Sequence, residues 1–372
     1  MPSRLVFIAG QLCVGGAEQQ LFTLLAGLDK SRFLPGVISL GLKPIEYWTE
    51  PIRKLDIPVW HIPQRLGKVG RTFRISSLLR SLKALIVHGW VLHTNPYAAL
   101  AGRIAGIPIR LGSIRGNYKG IPPDKLIRWS AFRGLDALTT NSMLVATEMR
   151  DLGLTKARVE AVPNGVEIRD EIVEIERSRL KAELGFVSND VVIGTIGRID
   201  KNKNHAMILR VFAQLTQKWP NLKLVILGEG PLKNELASAA NALGVGTKVS
   251  LPGEIPIAAR YLPVMEICCL TSYTEGMPNV IMEASAAGVP VVATTCGGST
   301  ELIEESTTGF LVTVDDDASM KAKLEFLLVD SDRRHRIGAA GRKKMMRQFS
   351  VDIMVNRMTQ IYEELIATKV HP

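Results

Sequence analysis

Short runs of consecutive apolar residues alternate along this chain with longer stretches in which apolar positions recur every three or four residues. Leu5 to Ala9, Gly36 to Leu40, Pro58 to Ile62, Trp90 to His93 and Leu138 to Asn141 read as strands in the first half; Val191 to Ile196, Leu222 to Leu227 and Val289 to Ala293 do so in the second. Helical spacing follows many of them, as in Ala17, Leu21, Leu24, Leu25 and Leu28 after the first strand. From Arg65 to Ile86, Phe73, Leu78, Leu79, Leu82 and Leu85 can gather on one helical face, flanked by Arg71, Arg74, Arg80 and Lys83. Strand and helix alternate in both halves, which predicts an α/β chain of two doubly wound domains facing each other across a cleft. The irregular acidic stretch EIRDEIVEIERSRL sets the boundary, giving domains over 1–167 and 168–349 and an amphipathic helix in 350–372.

Composition narrows the class. Hydrophobic residues make up 46% of the 372 and aromatics only 6%, the balance of a soluble α/β protein built from Val, Ile, Leu and Ala. The most apolar stretch, Ala84 to Ile109, is interrupted by His88, His93, Asn95 and Arg103, so it is not read as a membrane span. The opening MPSRLVFIAGQLCVGGA serves better as a first strand than as a signal peptide. Cys13, Cys268, Cys269 and Cys296 show neither CxxC nor a zinc spacing, which fits a reducing cytoplasm, and Cys268 and Cys269 read as small buried hydrophobes.

Charge is placed unevenly. Residues 1–165 hold 22 Lys and Arg against 10 Asp and Glu, so all of the net +10 lies in the first half. That points to an anionic partner there, such as an acidic membrane surface or a phosphorylated acceptor. The tract 113–134, basic and interleaved with Tyr118, Trp129 and Phe132, adds to it. No RNP, KH or zinc-finger pattern accompanies the aromatics, so nucleic acid is not expected.

Candidate chemistry sits in the turns. Gly10 and Gly15 have the GxxxxG spacing of a phosphate loop, but Gly16 stands where its Lys would be; Gly15 and Gly16 can still bring a backbone close to a diphosphate at a helix N-terminus. His93 and Asn95 stand at a strand end, where doubly wound sheets bind ligands. After Val191 to Ile196 come Gly197, Arg198 and Lys203, two cations able to neutralise a diphosphate. In TSYTEGMPNVIMEA the helix opens at Pro278 beside Glu275, so amides at Met277 and Asn279 can meet an anion while Glu275 accepts hydroxyl protons. Asp315 to Asp317 has the form of a DxD metal motif, yet its place before a helix favours capping.

Taken together, GGAE at 15–18, GRIDKNKN at 197–204, EGMPNVIMEA at 275–284 and GVPVVAT at 288–294 resemble the family-4 retaining glycosyltransferases, whose GT-B fold pairs two Rossmann-like domains. The resemblance covers nearly the whole chain and is strongest from Val192 to Val314. It implies that Glu275 binds donor-sugar hydroxyls, Glu283 the ribose, and Arg198 and Lys203 the diphosphate, helped by backbone at Gly15, Gly16, Gly197, Gly276, Met277, Pro278 and Asn279. It also implies His93 near the reacting centre; the second His of the family's HxH is missing, and Asn95 takes its position. Arg115 is a further candidate for contact with sugar or acceptor.

The expected function is therefore metal-independent, cofactor-free, retaining transfer of a sugar from a UDP- or GDP-sugar to a lipid-linked or polysaccharide acceptor. The expected location is cytoplasmic, peripheral on the anionic inner face of the cytoplasmic membrane. A nucleotide-sugar epimerase of the same fold, a non-catalytic sugar-nucleotide sensor and a nucleic-acid binder are the alternatives.

Overall fold

A computed structural model describes residues 2–116, 132, 134–151, 157–170 and 173–370. Most of the basic tract 113–134, with Tyr118 and Trp129, lies outside them. The chain forms two compact units, one of Met1–Gly165 with Val351–Pro372, the other of Val166–Ser350.

The first unit is built on a parallel sheet of β1 (Ser3–Ala9), β2 (Phe33–Ser39), β3 (Val59–His61), β4 (Ile86–Gly89), β5 (Ile109–Ile114), β6 (Ala137–Thr140) and β7 (Arg158–Ala161), ordered β3-β2-β1-β4-β5-β6-β7. Alternate strand residues feed two apolar layers. Leu5, Phe7 and Ala9 face one with the C-terminal helix Val351–Lys369, whereas Val6 and Ile8 face the other with Ile75, Leu79 and Ala98. Met354, Met358, Ile361 and Tyr362 of that C-terminal helix are buried beside Leu21, Leu24 and Leu25. Gly165 is clamped by Gln20, whose amide donates to its carbonyl and accepts from its N–H, each at 2.9 Å.

The second unit has β8 (Val191–Ile196), β9 (Leu222–Leu227), β10 (Val249–Gly253), β11 (Ile267–Leu270), β12 (Val291–Thr294) and β13 (Gly309–Val312), also parallel and ordered β10-β9-β8-β11-β12-β13. Cys268 and Cys269 point to opposite layers and both are fully buried, which pushes the Cys268 thiol up to about 12. Neither is a nucleophile. In each sheet the strand order reverses once, between β1 and β4 and between β8 and β11, and these switch points open a crevice at the carboxyl edge.

Two expectations need correction. Trp90 to His93 is not a strand: β4 ends at Gly89, and Leu92–Thr94 is a single 3-10 turn. The preceding helix, Gly67–Ser81, stops before Leu82, and Lys83 turns the chain through a left-handed φ of 50° into β4. Nor do Phe73 and Leu79 share a face. Ile75 and Leu79 are buried, whereas Phe73 is 60% exposed and aligns with Leu66 and Val69, seven and four residues earlier.

Candidate active site

On the second unit the switch point sets the loop after β8 beside the loop after β11, and polar side chains lace the two together. Thr271 Oγ1 donates to the Lys203 carbonyl at 2.8 Å; Asn202 Nδ2 donates to the Thr274 carbonyl, while Asn202 Oδ1 accepts from the Thr274 amide and hydroxyl. Lys203 runs past Gly197 and ends 2.6 Å from Glu275 Oε1, which also accepts from Ser272 Oγ at 2.7 Å. Glu275 Oε2 has no partner among the described residues. Arg198 stands on the same edge with its side chain 71% exposed and its Nε 3.6 Å from Asp200. This edge therefore presents a carboxylate anchored by one cation, Lys203, with a second, Arg198, exposed in the same loop.

Glycines let the edge close up. A Cβ on Gly297 would collide with the Glu275 carbonyl and one on Gly298 with that of Gly276, to which Gly298 N–H donates at 2.6 Å. Gly228 and Gly230, which look in sequence like a fragment of a nucleotide fingerprint, instead receive the carbonyls of Gly197 and Ile199. Pro278 is the N-cap of the helix Asn279–Ala286, so the chain of Gly276 and Met277 leads into its N-terminus. Glu283, half-buried one turn further on, adds its charge to burial in raising the Cys268 thiol.

On the first unit, His93 packs over Gly10, where any Cβ would strike its ring. The ring stays exposed on its other side, and partial burial lowers its pKa. Gly15 is the N-cap of the helix Gly16–Gly27, and the space of its missing Cβ is taken by the Glu18 carboxylate, whose pKa burial raises. Asn95 is corrected: it is fully buried and braces β5, its Nδ2 donating to the Ser113 carbonyl and its Oδ1 accepting from Ser113 N–H, both at 3.1 Å. Its amide is committed to the fold and is not placed for a sugar contact. Arg115 lies with its guanidinium 3.6 Å from the centre of a Trp90 ring and donates to Asn164 Oδ1 at 2.9 Å.

Several residues on these edges carry no sequence signal of their own. Ser272 shares Glu275 Oε1 with Lys203, a role visible only once the loop is folded. His205, first in the helix His205–Leu215, is held neutral by burial with a pKa of about 4. His88 is fully buried between Tyr362 Oη and Ser113 Oγ, at 2.8 and 2.7 Å, and burial followed by the charge of Arg115 lowers its pKa to about 3. At the acidic run, Asp316 caps the helix Asp317–Leu328 by accepting from Ser319 N–H at 2.9 Å, and Asp317 pairs with Arg210.

Residues 14–170 match the model of Glycosyltransferase Family 4, and residues 176–344 that of Glycosyl transferases group 1. The putative glycosyltransferase EpsD of Bacillus subtilis is 29% identical over 83% of this chain and 84% of its own length. A Campylobacter jejuni alpha-1,4-N-acetyl-D-galactosaminyltransferase, named for a GalNAc-containing glycan on PP-undecaprenol, is 26% identical over 90% and 91%. Among solved structures, Anabaena HepE in complex with UDP and glucose superposes with a TM-score of 0.85 at 20% identity, over 96% of this chain and 99% of that one, which is a likeness of fold. A chain whose two units match these two models in order belongs to the glycosyltransferases of the group 1 and family 4 type, and its fold is GT-B.

Proposed function

We propose that this glycosyltransferase transfers a sugar from a UDP- or GDP-sugar, with retention and without a metal, to a lipid-linked or polysaccharide acceptor. The observation that carries the reading is Glu275, anchored through Oε1 by Lys203 and Ser272 with Oε2 left without a protein partner among the described residues. Oε2 accepts from hydroxyls of the donor sugar. Lys203, already at the same carboxylate, and Arg198, exposed on the same edge, neutralise the diphosphate as the glycosidic bond breaks. Backbone from Gly276 to Asn279 meets the diphosphate at the helix N-terminus, and Glu283 holds the ribose. Two cations provide the charge that a metal supplies in other transferases. His93 on the first unit contacts the transferred sugar. The HepE complex with UDP supports a uridine donor, and the Campylobacter relative's name supports a lipid-diphosphate acceptor.

The helix Gly67–Ser81 supports a location at a membrane surface. Leu66, Val69 and Phe73, exposed by 41%, 72% and 60%, form an apolar row; Arg65, Lys68 and Arg74 around it have no carboxylate partner among the described residues. Such a row set among unpaired cations suits an anionic bilayer, with the phenyl ring entering the head-group layer. Among the described residues no helix is long and apolar enough to cross a membrane. We place the enzyme on the inner face of the cytoplasmic membrane.

A thermal-shift panel of UDP-, GDP- and ADP-sugars identifies the donor, because a ligand of the folded state raises stability by mass action. Transfer assays with Glu275→Gln and Lys203→Met then test the chemistry. Unchanged rates with the stabilising donor would remove the assignment, and an epimerised sugar nucleotide formed without acceptor would replace it.

A further inference from the structure

Where β5 ends at Ile114, the next side chain, Arg115, is drawn into the first unit. Its guanidinium stacks 3.6 Å from the centre of a Trp90 ring, and Nη1 donates to Asn164 Oδ1 at 2.9 Å. The opposite edge of the guanidinium, Nε with Nη2, has no acceptor among the described residues, and Nε is fully buried. No carboxylate of the described residues pairs with this cation. Arg110, five residues earlier, is matched by Asp136, and Arg357 by Glu160. Among the described residues, His88 beside Arg115 is held neutral by burial, and burial keeps Tyr362 a phenol, so neither supplies a counter-charge. Burial also lowers the pKa of Arg115 itself, to about 9.

An uncompensated buried cation is unfavourable in the free protein, and its natural complement is an anion that arrives with a ligand. Two features of the surroundings agree. Arg115 lies at the carboxyl edge of the sheet, one strand from the switch point. The indole beneath the guanidinium donates from Nε1 to the Ala17 carbonyl at 2.7 Å, tying Arg115 to the turn that carries Gly15 and Gly16. The unpaired Nε and Nη2 edge is a side-on fork that matches two oxygens of one phosphoryl group.

We propose that Arg115, positioned by Trp90 and Asn164, is a phosphate-binding subsite of the first unit. It rests on the glycosyltransferase reading only for the two sources it considers, the diphosphate of the nucleotide donor and a phosphate on the acceptor.

The test is thermal stabilisation of the full chain by inorganic pyrophosphate, UDP and farnesyl diphosphate, for the wild type, Arg115→Met and Asn164→Asp. Arg115→Met is expected to melt no lower than wild type without ligand, since it removes an uncompensated charge, and to bind pyrophosphate at least tenfold more weakly. Asn164→Asp, which supplies an internal counter-charge at nearly the same volume, should melt higher and show the same loss. A loss for pyrophosphate and farnesyl diphosphate that spares UDP assigns the subsite to the acceptor, and a loss shared by UDP assigns it to the donor. Unchanged affinity for all three anions in both variants overturns the proposal, as does a lower melting point with unchanged anion binding, the mark of a purely structural cation. Lys203→Met, measured alongside, reports separately on the second unit, so failure here leaves the transferase reading intact.

Discussion

Lys203 and Glu275, 72 residues apart in the chain, meet at 2.6 Å with side chains only 22% and 13% exposed. Each holds the other in place on the edge of the second unit. Removing one partner leaves a partly buried charge unmatched, so a double-mutant cycle of Lys203→Met and Glu275→Gln should give a coupling of about 1–3 kcal/mol by denaturant unfolding. Transfer should fall at least a hundredfold in either single variant, and independent, additive effects on stability would show that the pair is not coupled.

Gly297 and Gly298 support the same carboxylate from behind. Gly297→Ala combines a left-handed φ of 48° with a collision against the Glu275 carbonyl, and should cost about 2–4 kcal/mol and weaken donor binding. Gly288→Ala is the control. Its φ is 74° but its surroundings are open, so about 1 kcal/mol of strain with unchanged donor affinity is expected.

Asn95→Ala separates a structural amide from a ligand contact. It strands the buried N–H and carbonyl of Ser113, which should cost about 2–4 kcal/mol of stability. KM for the donor should stay within twofold of wild type, and a large rise in KM without loss of stability would restore the sugar contact to Asn95.

The buried histidines make stability depend on pH. His88 and His205 have folded pKa values of about 3 and about 4, well below the ordinary 6.5, so between these values the unfolded chain binds the extra protons. Their contribution is complete above pH 6.5 and is lost as pH falls, by up to about 1.4 kcal/mol per pH unit for each. Unfolding free energies at pH 7, 6 and 5 should show this slope in wild type and a slope lower by about one proton in His88→Gln.

The apolar row on the helix Gly67–Ser81 predicts different outcomes for two neighbouring positions. Val69→Ser with Phe73→Ser should leave the melting temperature unchanged and lower sedimentation with phosphatidylglycerol vesicles several-fold, since both side chains are exposed. Ile75→Ser, at a fully buried position, should destabilise the fold by about 2–4 kcal/mol. Binding that ignores lipid charge, or survives the double substitution, would remove this face from membrane contact.

The misread segment around this helix shows where local patterns fail. Leu82 and Leu85 continue the spacing of Leu78, so the sequence invites a longer helix and a later strand, whereas the chain breaks at Lys83 in a conformation for which lysine gives no warning. Phe73 fits an apolar face on paper. The face that is buried is chosen by what packs there, and that is Ile75 and Leu79 against the sheet. Glu275, Arg198 and Lys203 were legible because each lies in a turn directly after a strand, where residue type and spacing are set within a dozen positions.

The sequence by itself determined the alternation of strand and helix, the strand ends that carry glycines and charges, and the resemblance to a transferase family. These are local properties, fixed by apolar periodicity and by the few residues that turns accept. Tertiary structure alone decided that Lys203 pairs with Glu275, that Asn95 braces β5, and that Arg115 stacks on Trp90 with a buried Nε that has no acceptor among the described residues. Each depends on which strands are neighbours, β8 beside β11 and β4 beside β5, and on the space left between their loops. Register and burial come from packing the whole sheet, so no stretch of chain encodes them alone.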